Sequence, residues 1–501
     1  MGLNAWDLAV IALYLTGITV FGLRFRKKQR SLKDYFLADN SIPWWAISLS
    51  IVAAETSTLT IISVPGLAYE KDFGFLQLVV GYLVGRVIIS FLLIPHYFRG
   101  ELFTAYQLIE RRFGQKLRAL TAGLFLITRA AAEGVRVFAV AIVIGIALSS
   151  FLVGLGDFGR DLAAIAIVTF LTLLYTFEGG MAAVIWTDVV QMGIYVTGTL
   201  VAFVTLLHLV PGGWSTIHQV AGDAGKFRVF DFSWNFFKTY TFWSGLIGGA
   251  FLTTASHGTD QLIVQRLLAA RNERHSKLAL LFSGVAIFFQ FGLFLFIGAM
   301  LFVFYRFFPP EAAFRRTDVI FPTFVVTHLP HGISGLLISA ILAAAMSNLS
   351  AALNSLSSIS IVDFYAHLRP NASDSRKFFL SRVATVVWGV ILFGLAILAR
   401  QGGKVVEMGL SIASVAYGSL LGVFLLGVLT RKATEHGAMA GMLCGFILNV
   451  YLWQFTKVPF TWYVALGSIV TFAVGYLASL LLPEGAESKK IREDFHSRVT
   501  R

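Results

Sequence analysis

Apolar residues run along this chain in long blocks separated by short polar stretches. Thirteen blocks can be delimited, at about 5–24, 41–69, 74–98, 117–152, 161–177, 183–210, 241–265, 277–307, 331–362, 377–400, 405–429, 436–455 and 461–482. A helix that crosses a bilayer needs about 20 predominantly apolar residues, and runs such as Trp6 to Phe25 and Lys277 to Phe308 meet that length. The pattern predicts an all-α membrane protein of about 13 transmembrane helices. Connections are short except Pro211 to Tyr240 and Phe308 to Pro330, which fall on the same side of an alternating arrangement.

Composition agrees, since 57% of the 501 residues are hydrophobic and only 13% charged. An ordinary soluble domain carries about 25% charged residues. The net charge of +13 does not point to nucleic acid, because a nucleic-acid reader needs a basic groove on a soluble fold with aromatics placed for stacking. The basic residues sit in the connections instead. With the N-terminus outside, the inside connections and the tail carry 25 of the 40 Lys and Arg residues, against 11 outside. Cytoplasmic loops collect such residues, so the chain is expected N-outside and C-inside in a cell membrane.

Six Lys or Arg residues follow the first block and no cleavage site does, so it is a retained span rather than a signal peptide. Arg99 to Arg118 mixes charges with Leu102, Phe103, Leu108, Ile109 and Phe113, the composition of an amphipathic connector at the membrane surface. The lone Cys444 excludes an intramolecular disulfide and a Cys-based metal cluster, and reads as a small packing residue.

A charge at the centre of a spanning helix costs about 2.5–3.5 kcal/mol even on a lenient scale, so each polar intrusion needs a reason. The second block carries Ala53-Ala54-Glu55-Thr56-Ser57-Thr58-Leu59-Thr60 at its middle. That is the composition of a helix broken at mid-membrane with carbonyls and hydroxyls turned to an ion; the alternative is a continuous helix whose hydroxyls bond back to its own carbonyls. The ninth block reads Ala343-Ala344-Ala345-Met346-Ser347-Asn348-Leu349-Ser350. Small residues there allow close packing, and its oxygens equally suit a hard cation. Asp188, near the start of the sixth block, fits a helix cap or an ion site.

The seventh block combines Gly245, Gly248 and Gly249 with Ser256-His257-Gly258-Thr259-Asp260-Gln261, a second candidate for a broken helix. Arg129, Glu133 and Arg136 share one face of the fourth block. They form either an internal ion-pair ladder or a ladder that turns one guanidinium to a substrate carboxylate. Interrupted helices at the same position of two repeats mark a transporter with its site between them. Blocks 2–6 and 7–11 then pair as five-helix repeats, and five spans per repeat make the second inverted. The expected division is 1–40, a first repeat 41–210, an outer loop 211–240, a second repeat 241–430, two further helices in 431–482, and a tail 483–501.

These motifs resemble the sodium:solute symporter family, which includes sodium/proline, sodium/glucose and sodium/sialic acid transporters. The resemblance runs from Asp34-Tyr35-Phe36-Leu37-Ala38 through the last repeat. Its most specific pieces are Glu178-Gly179-Gly180 through Trp186-Thr187-Asp188-Val189-Val190-Gln191, then Thr259-Asp260-Gln261-Leu262-Ile263-Val264-Gln265-Arg266, and Met346-Ser347-Asn348-Leu349-Ser350 leading to Asn354-Ser355.

The resemblance implies a LeuT-like fold, alternating access and import of a small organic solute with Na+. It implies a sodium site of the Ala53, Thr56 and Ala344 carbonyls with the Ser347 and Asn348 side chains, Asn348 standing where the family usually has Ser or Thr. Asp188 matches the family's acidic residue linked to sodium and, with Ser350, offers a second site. Glu55 falls where proline transporters carry Asp and is expected to act in coupling.

Thr58, Gln77, Arg136, Asp260 and Gln261 are expected near the solute. Thr259-Asp260-Gln261 is similar to the sugar and inositol branch, whereas Arg129 and Arg136 suit a carboxylate, and the reading leans to an anion or zwitterion. One sodium crossing about 100 mV yields about 2.3 kcal/mol, and a tenfold gradient adds about 1.4. Together they support roughly 500-fold accumulation without ATP, in keeping with the absence of a phosphate-binding G-x-x-x-x-G-K-[ST] loop.

Proton coupling through Glu55, His257 and Asp260 is the alternative. An intramembrane enzyme or a solute sensor is a weaker one, since no HExxH or G-x-S-x-G motif is present. The expected partners are sodium, the solute and the lipid bilayer, with no nucleic acid and no obligate protein partner inferred.

Overall fold

The computed structural model describes residues 3–24, 37–99, 105–149, 151–152, 154–174, 181–310, 312–365, 368–369 and 371–481. Glu178 to Gly180, most of the basic stretch after the first block and the tail after Pro483 lie outside them. All thirteen apolar blocks are helical among the described residues, and the only pairing outside helices is an isolated bridge between Ile42 and Ala270.

In chain order the helices are α1 (Ala5–Leu23), α2 (Trp44–Glu55), α3 (Thr58–Glu70), α4 (Leu76–Leu92), α5 (Ala105–Phe113) and α6 (Gln115–Ala147). Next come α7 (Asp157–Leu174), α8 (Met181–Leu209), α9 (Gly213–Asp223), α10 (Gly249–Gly258), α11 (Gln261–Leu268) and α12 (Glu273–Phe307). The last are α13 (Ile320–His328), α14 (Ile333–Ile359), α15 (Asp374–Ala399), α16 (Val405–Leu429), α17 (Glu435–Phe455) and α18 (Tyr463–Leu481). Nine of the described helices are individually long and apolar enough to cross a membrane, and the pair α2 and α3, bent by 64°, makes a tenth span. The two longer connections hold helices of their own, α9 and α13.

Both expected interruptions are present, at different depths. The first falls at Thr56 and Ser57, between helices of 12 and 13 residues. The second falls at Thr259 and Asp260, with 10 residues of α10 before it and only 8 of α11 after it. A π-helical turn, Ser244–Gly248, precedes α10. Glycine explains the packing here. A Cβ on Gly81 of α4 would come within 2.2 Å of the Gly245 carbonyl oxygen, and one on Gly249 within 2.3 Å of Leu78 O. Only bare backbone lets the two segments approach this closely.

The start of the first broken segment and the end of the second are stitched together, since Asn40 Nδ2 donates to Leu268 O at 2.7 Å beside the Ile42–Ala270 bridge. Helix α14 is unbroken, and α1, which lies outside the expected repeats, caps it. The buried Asp7 carboxylate accepts the Gly332 amide at 2.7 Å and the Gly335 amide at 3.3 Å. Those amides have no carbonyl one turn earlier to pair with, which is the usual need at a helix start. Cys444 is exposed on α17 rather than packed; a small apolar residue is as well accommodated against lipid as in a core.

Candidate functional site

A cavity of about 230 Å³ lies where the two interruptions face each other. The first contributes Glu55, Ser57 and Thr60, the second Thr253, Ser256, His257 and Asp260, α6 contributes Arg129, Glu133 and Arg136, and α14 contributes Asn348. Its lining also takes in Phe75, Tyr82 and Phe291, Thr121 in the first turns of α6, and Leu420 in the second half of α16.

At the first interruption the backbone leaves the helical ladder. Thr56 has ψ of 66° and Ser57 is extended, with ψ of 171°. The Ser57 amide donates to Glu55 O at 2.9 Å and the Thr60 amide to Ser57 O at 2.9 Å. In a continuous helix those two amides would go to Ala53 O and Thr56 O, so both carbonyls are released from the ladder. Thr60 Oγ1 adds a bond to Glu55 O at 3.2 Å, and Thr56 Oγ1 donates to Gln290 Oε1 at 3.0 Å. Released carbonyls in a low-dielectric interior need a donor or a cation.

The second interruption is capped but not fully closed, since the Ile263 amide donates to Asp260 O at 3.2 Å and Thr259 O leaves the ladder as Thr56 O does at the first. Asp260 caps α11 by accepting the Leu262 amide at 2.9 Å, and its other oxygen accepts the Tyr417 hydroxyl at 2.8 Å. Thr259 Oγ1 bonds back to Ala255 O at 2.8 Å, and Gly258 O accepts the Tyr97 hydroxyl.

The α6 ladder is present. Glu133, fully buried, pairs with Arg129 at 2.9 Å and with Arg136, and Arg129 also faces Asp260 at 3.8 Å. Arg136 lines the cavity with its side chain 23% exposed, against 11% for Arg129. Glu55 pairs with Arg86 of α4, a partner that sequence reasoning missed although Arg86 stands conspicuously in an apolar block.

Of the other expected site residues, Asp188 is buried with its Oδ2 held by Ser50 Oγ at 2.6 Å and by Arg266 at 3.0 Å. Ser350 is buried on α14 and Ser347 half-buried. Thr58, Gln77 and Gln261 lie off the cavity wall. Gln77 is engaged at both ends of its amide, donating to Gly74 O at 3.1 Å and accepting the Asp231 amide at 2.9 Å. It pins the 211–240 connection, whose Asp231 carboxyl is held below the usual carboxylate range by a hydrogen bond from Lys238. Gln261 Oε1 accepts the Ala105 amide at 2.7 Å.

The sequence profile described as Sodium:solute symporter family matches residues 35–445. The chain belongs to the sodium:solute symporter family. Among its relatives is the "Sodium/sialic acid symporter NanT" of Aliivibrio fischeri, 28% identical over 489 residues, covering 96% of this chain and 94% of that one. The sodium-coupled monocarboxylate transporter 2 of Mus musculus is 25% identical over 457 residues, covering 90% and 72%. The sodium/iodide cotransporter of Homo sapiens is 28% identical over 464 residues, covering 90% and 70%.

A solved structure described as the substrate-bound outward-open state of a Na+-coupled sialic acid symporter superposes with a TM-score of 0.81 at 27% identity, covering 96% and 99%. The inward-facing conformation of Mhp1, at TM-score 0.55 and 14% identity over 92% and 96%, shares the fold. This member of the family is therefore an integral membrane protein of LeuT-like fold, a sodium-coupled solute symporter and not an enzyme. Sodium and a small solute are its substrates.

Proposed function

We propose that the cotransported solute is a small carboxylate, bound with its anionic end on Arg136, while sodium sits at the Thr56–Ser57 interruption. The observation that carries this reading is the pair of released carbonyls, Ala53 O and Thr56 O, next to a cavity on which Arg136 is the more accessible guanidinium of its ladder. Glu133 holds that guanidinium in place, so little side-chain entropy is lost when a carboxylate arrives. Ala344 O, Ser347 and Asn348 complete the ion site from α14, and Asn348, lining the cavity, stands between ion and solute. Asp260 faces the remainder of the solute. The named cargoes of the relatives, sialic acid, monocarboxylates and iodide, are anions.

Glu55 couples the two sites, lying one residue from Thr56 and on the cavity wall. A second sodium at Asp188 and Ser350 competes with Arg266, which already holds the carboxylate. The two halves, 41–210 and 241–430, act as the inverted repeats, with 1–40 and 431–482 as additions. The N-terminus lies outside, so the cavity reaches toward the cytoplasm and the structure is inward-facing. The outer side is closed where α16 begins: Glu407 accepts the Tyr240 hydroxyl at 2.8 Å, Lys404 pairs with Glu70, and Asp318 takes Ser63 and the Val405 amide.

A polyol is the second reading, favoured by the hydroxyls of Ser57, Thr60, Thr253 and Ser256 around Asp260. Thermal unfolding of purified protein with N-acetylneuraminate, lactate or myo-inositol, each in sodium or choline chloride, separates the two. A carboxylate that stabilises only in sodium, and not in Arg136→Gln, is the expected result. Stabilisation by inositol alone would replace the carboxylate reading.

A further inference from the structure

One buried guanidinium in an apolar helix touches neither the cavity nor the released carbonyls. Arg86 is 1% exposed, near the middle of α4, and a guanidinium does not shed its proton. Its fork is distributed over several elements. One terminal nitrogen bonds Glu55 Oε2 and lies 3.3 Å from His257 Nε2, which itself lies 3.4 Å from Glu55 Oε2; Nε donates to Ser283 Oγ of α12 at 3.2 Å; the other terminal nitrogen reaches Tyr82 O at 3.4 Å. The space is built for it, since a Cβ on Gly284 would come within 2.7 Å of Arg86 Cδ. His257 in turn holds Ser256 Oγ at 2.8 Å through Nδ1, and Ser256, His257 and Glu55 all line the cavity.

We propose that Arg86 is the positioning residue that carries sodium occupancy at the first interruption to the solute wall on α10, through Glu55 on one side and His257 on the other. This rests on sodium binding beside Glu55. Closing the Ala53 and Thr56 carbonyls on an ion fixes the backbone that bears Glu55. The carboxylate then sets where the Arg86 fork can lie, and the same nitrogen sets the His257 ring and the Ser256 hydroxyl. Lysine preserves the charge but is a point donor without the fork, so Arg86→Lys keeps the pair with Glu55 and loses the simultaneous contact with His257.

The chain has a single cysteine, Cys444, so Cys444→Ala with Ser256→Cys gives one reporter thiol on α10. Its labelling rate by a small water-soluble methanethiosulfonate is measured in choline and in saturating sodium, with thermal unfolding in parallel. Sodium is expected to change the rate about fivefold in this parent, the low end of ordinary coupling between sites, and less than about 1.5-fold after Arg86→Lys or His257→Gln, while sodium still raises their unfolding temperatures. A merely structural Arg86 would lower the unfolding temperature and leave the labelling response intact.

The proposal is overturned if Arg86→Lys keeps the response, whatever His257→Gln does, because Glu55 and His257 also face each other directly at 3.4 Å. It is overturned alone if the parent is stabilised by sodium but its labelling does not change. A parent with no sodium stabilisation overturns the sodium reading as well. If Arg86→Lys does not fold, Ser283→Ala, which removes the anchor of Arg86 Nε and leaves Glu55 and His257 in place, decides: an unchanged labelling response overturns the proposal.

Discussion

At Thr56–Ser57 and at Thr259–Asp260 two helices are interrupted beside one cavity, and the two interruptions differ in how their ends are capped. The first has no side-chain cap, and the amides that follow it turn to Glu55 O and Ser57 O, releasing two carbonyls. The second is capped by Asp260, and Gly258 O is taken up by Tyr97. Under the proposed function the cation goes to the first because its break is uncapped, and the solute to the second because Asp260 and Tyr97 hold the Leu262 amide and Gly258 O there, although Thr259 O leaves the ladder just as Thr56 O does.

The contrast can be broken or sharpened by substitution. The largest effect is expected between the two interruptions, at Arg136→Gln: loss of the partner of a buried carboxylate should lower the kcat/KM of sodium-driven carboxylate uptake by about 30-fold or more, measured in proteoliposomes. Asn348→Ala should raise the sodium concentration for half-maximal uptake by about tenfold, the cost of one hydrogen-bond-strength contact to a charge, and raise the solute KM as well. At the capped interruption Tyr97→Phe leaves Gly258 O without its donor, and should cost about 1 kcal/mol of stability with sodium affinity unchanged. Thr60→Val, which removes only the back-bond to Glu55 O, should cost a few tenths of a kcal/mol by thermal unfolding.

Much of this is legible in the amino-acid sequence. An acid and four hydroxyls in the middle of an apolar block announce a first interruption, because nothing else makes such a composition economical in lipid. The helix ends were legible too, within a few residues, because hydropathy changes abruptly at them. What the sequence could not show was pairing across helices. Glu55 and Arg86 are 31 residues apart, and Asp188 and Arg266 are 78 apart. Nothing local says which acid meets which base. For the same reason a buried amide such as Gln77 or Gln261 reads alike whether it faces a ligand or ties a backbone segment, and the bonds to Asp231 and Ala105 are visible only in the structure. The depth of the second interruption was hidden because glycines spread from Gly245 to Gly258 weaken the helix along its whole length.

Equilibrium binding of radioactive sodium to the purified protein, in the parent, Ser347→Ala and Asp260→Asn, tests the difference between the two interruptions most directly. Ser347→Ala should weaken sodium binding by about tenfold, and Asp260→Asn should leave it within about twofold, a change of under about 0.5 kcal/mol. Unchanged sodium affinity in Ser347→Ala together with its loss in Asp260→Asn would contradict the account.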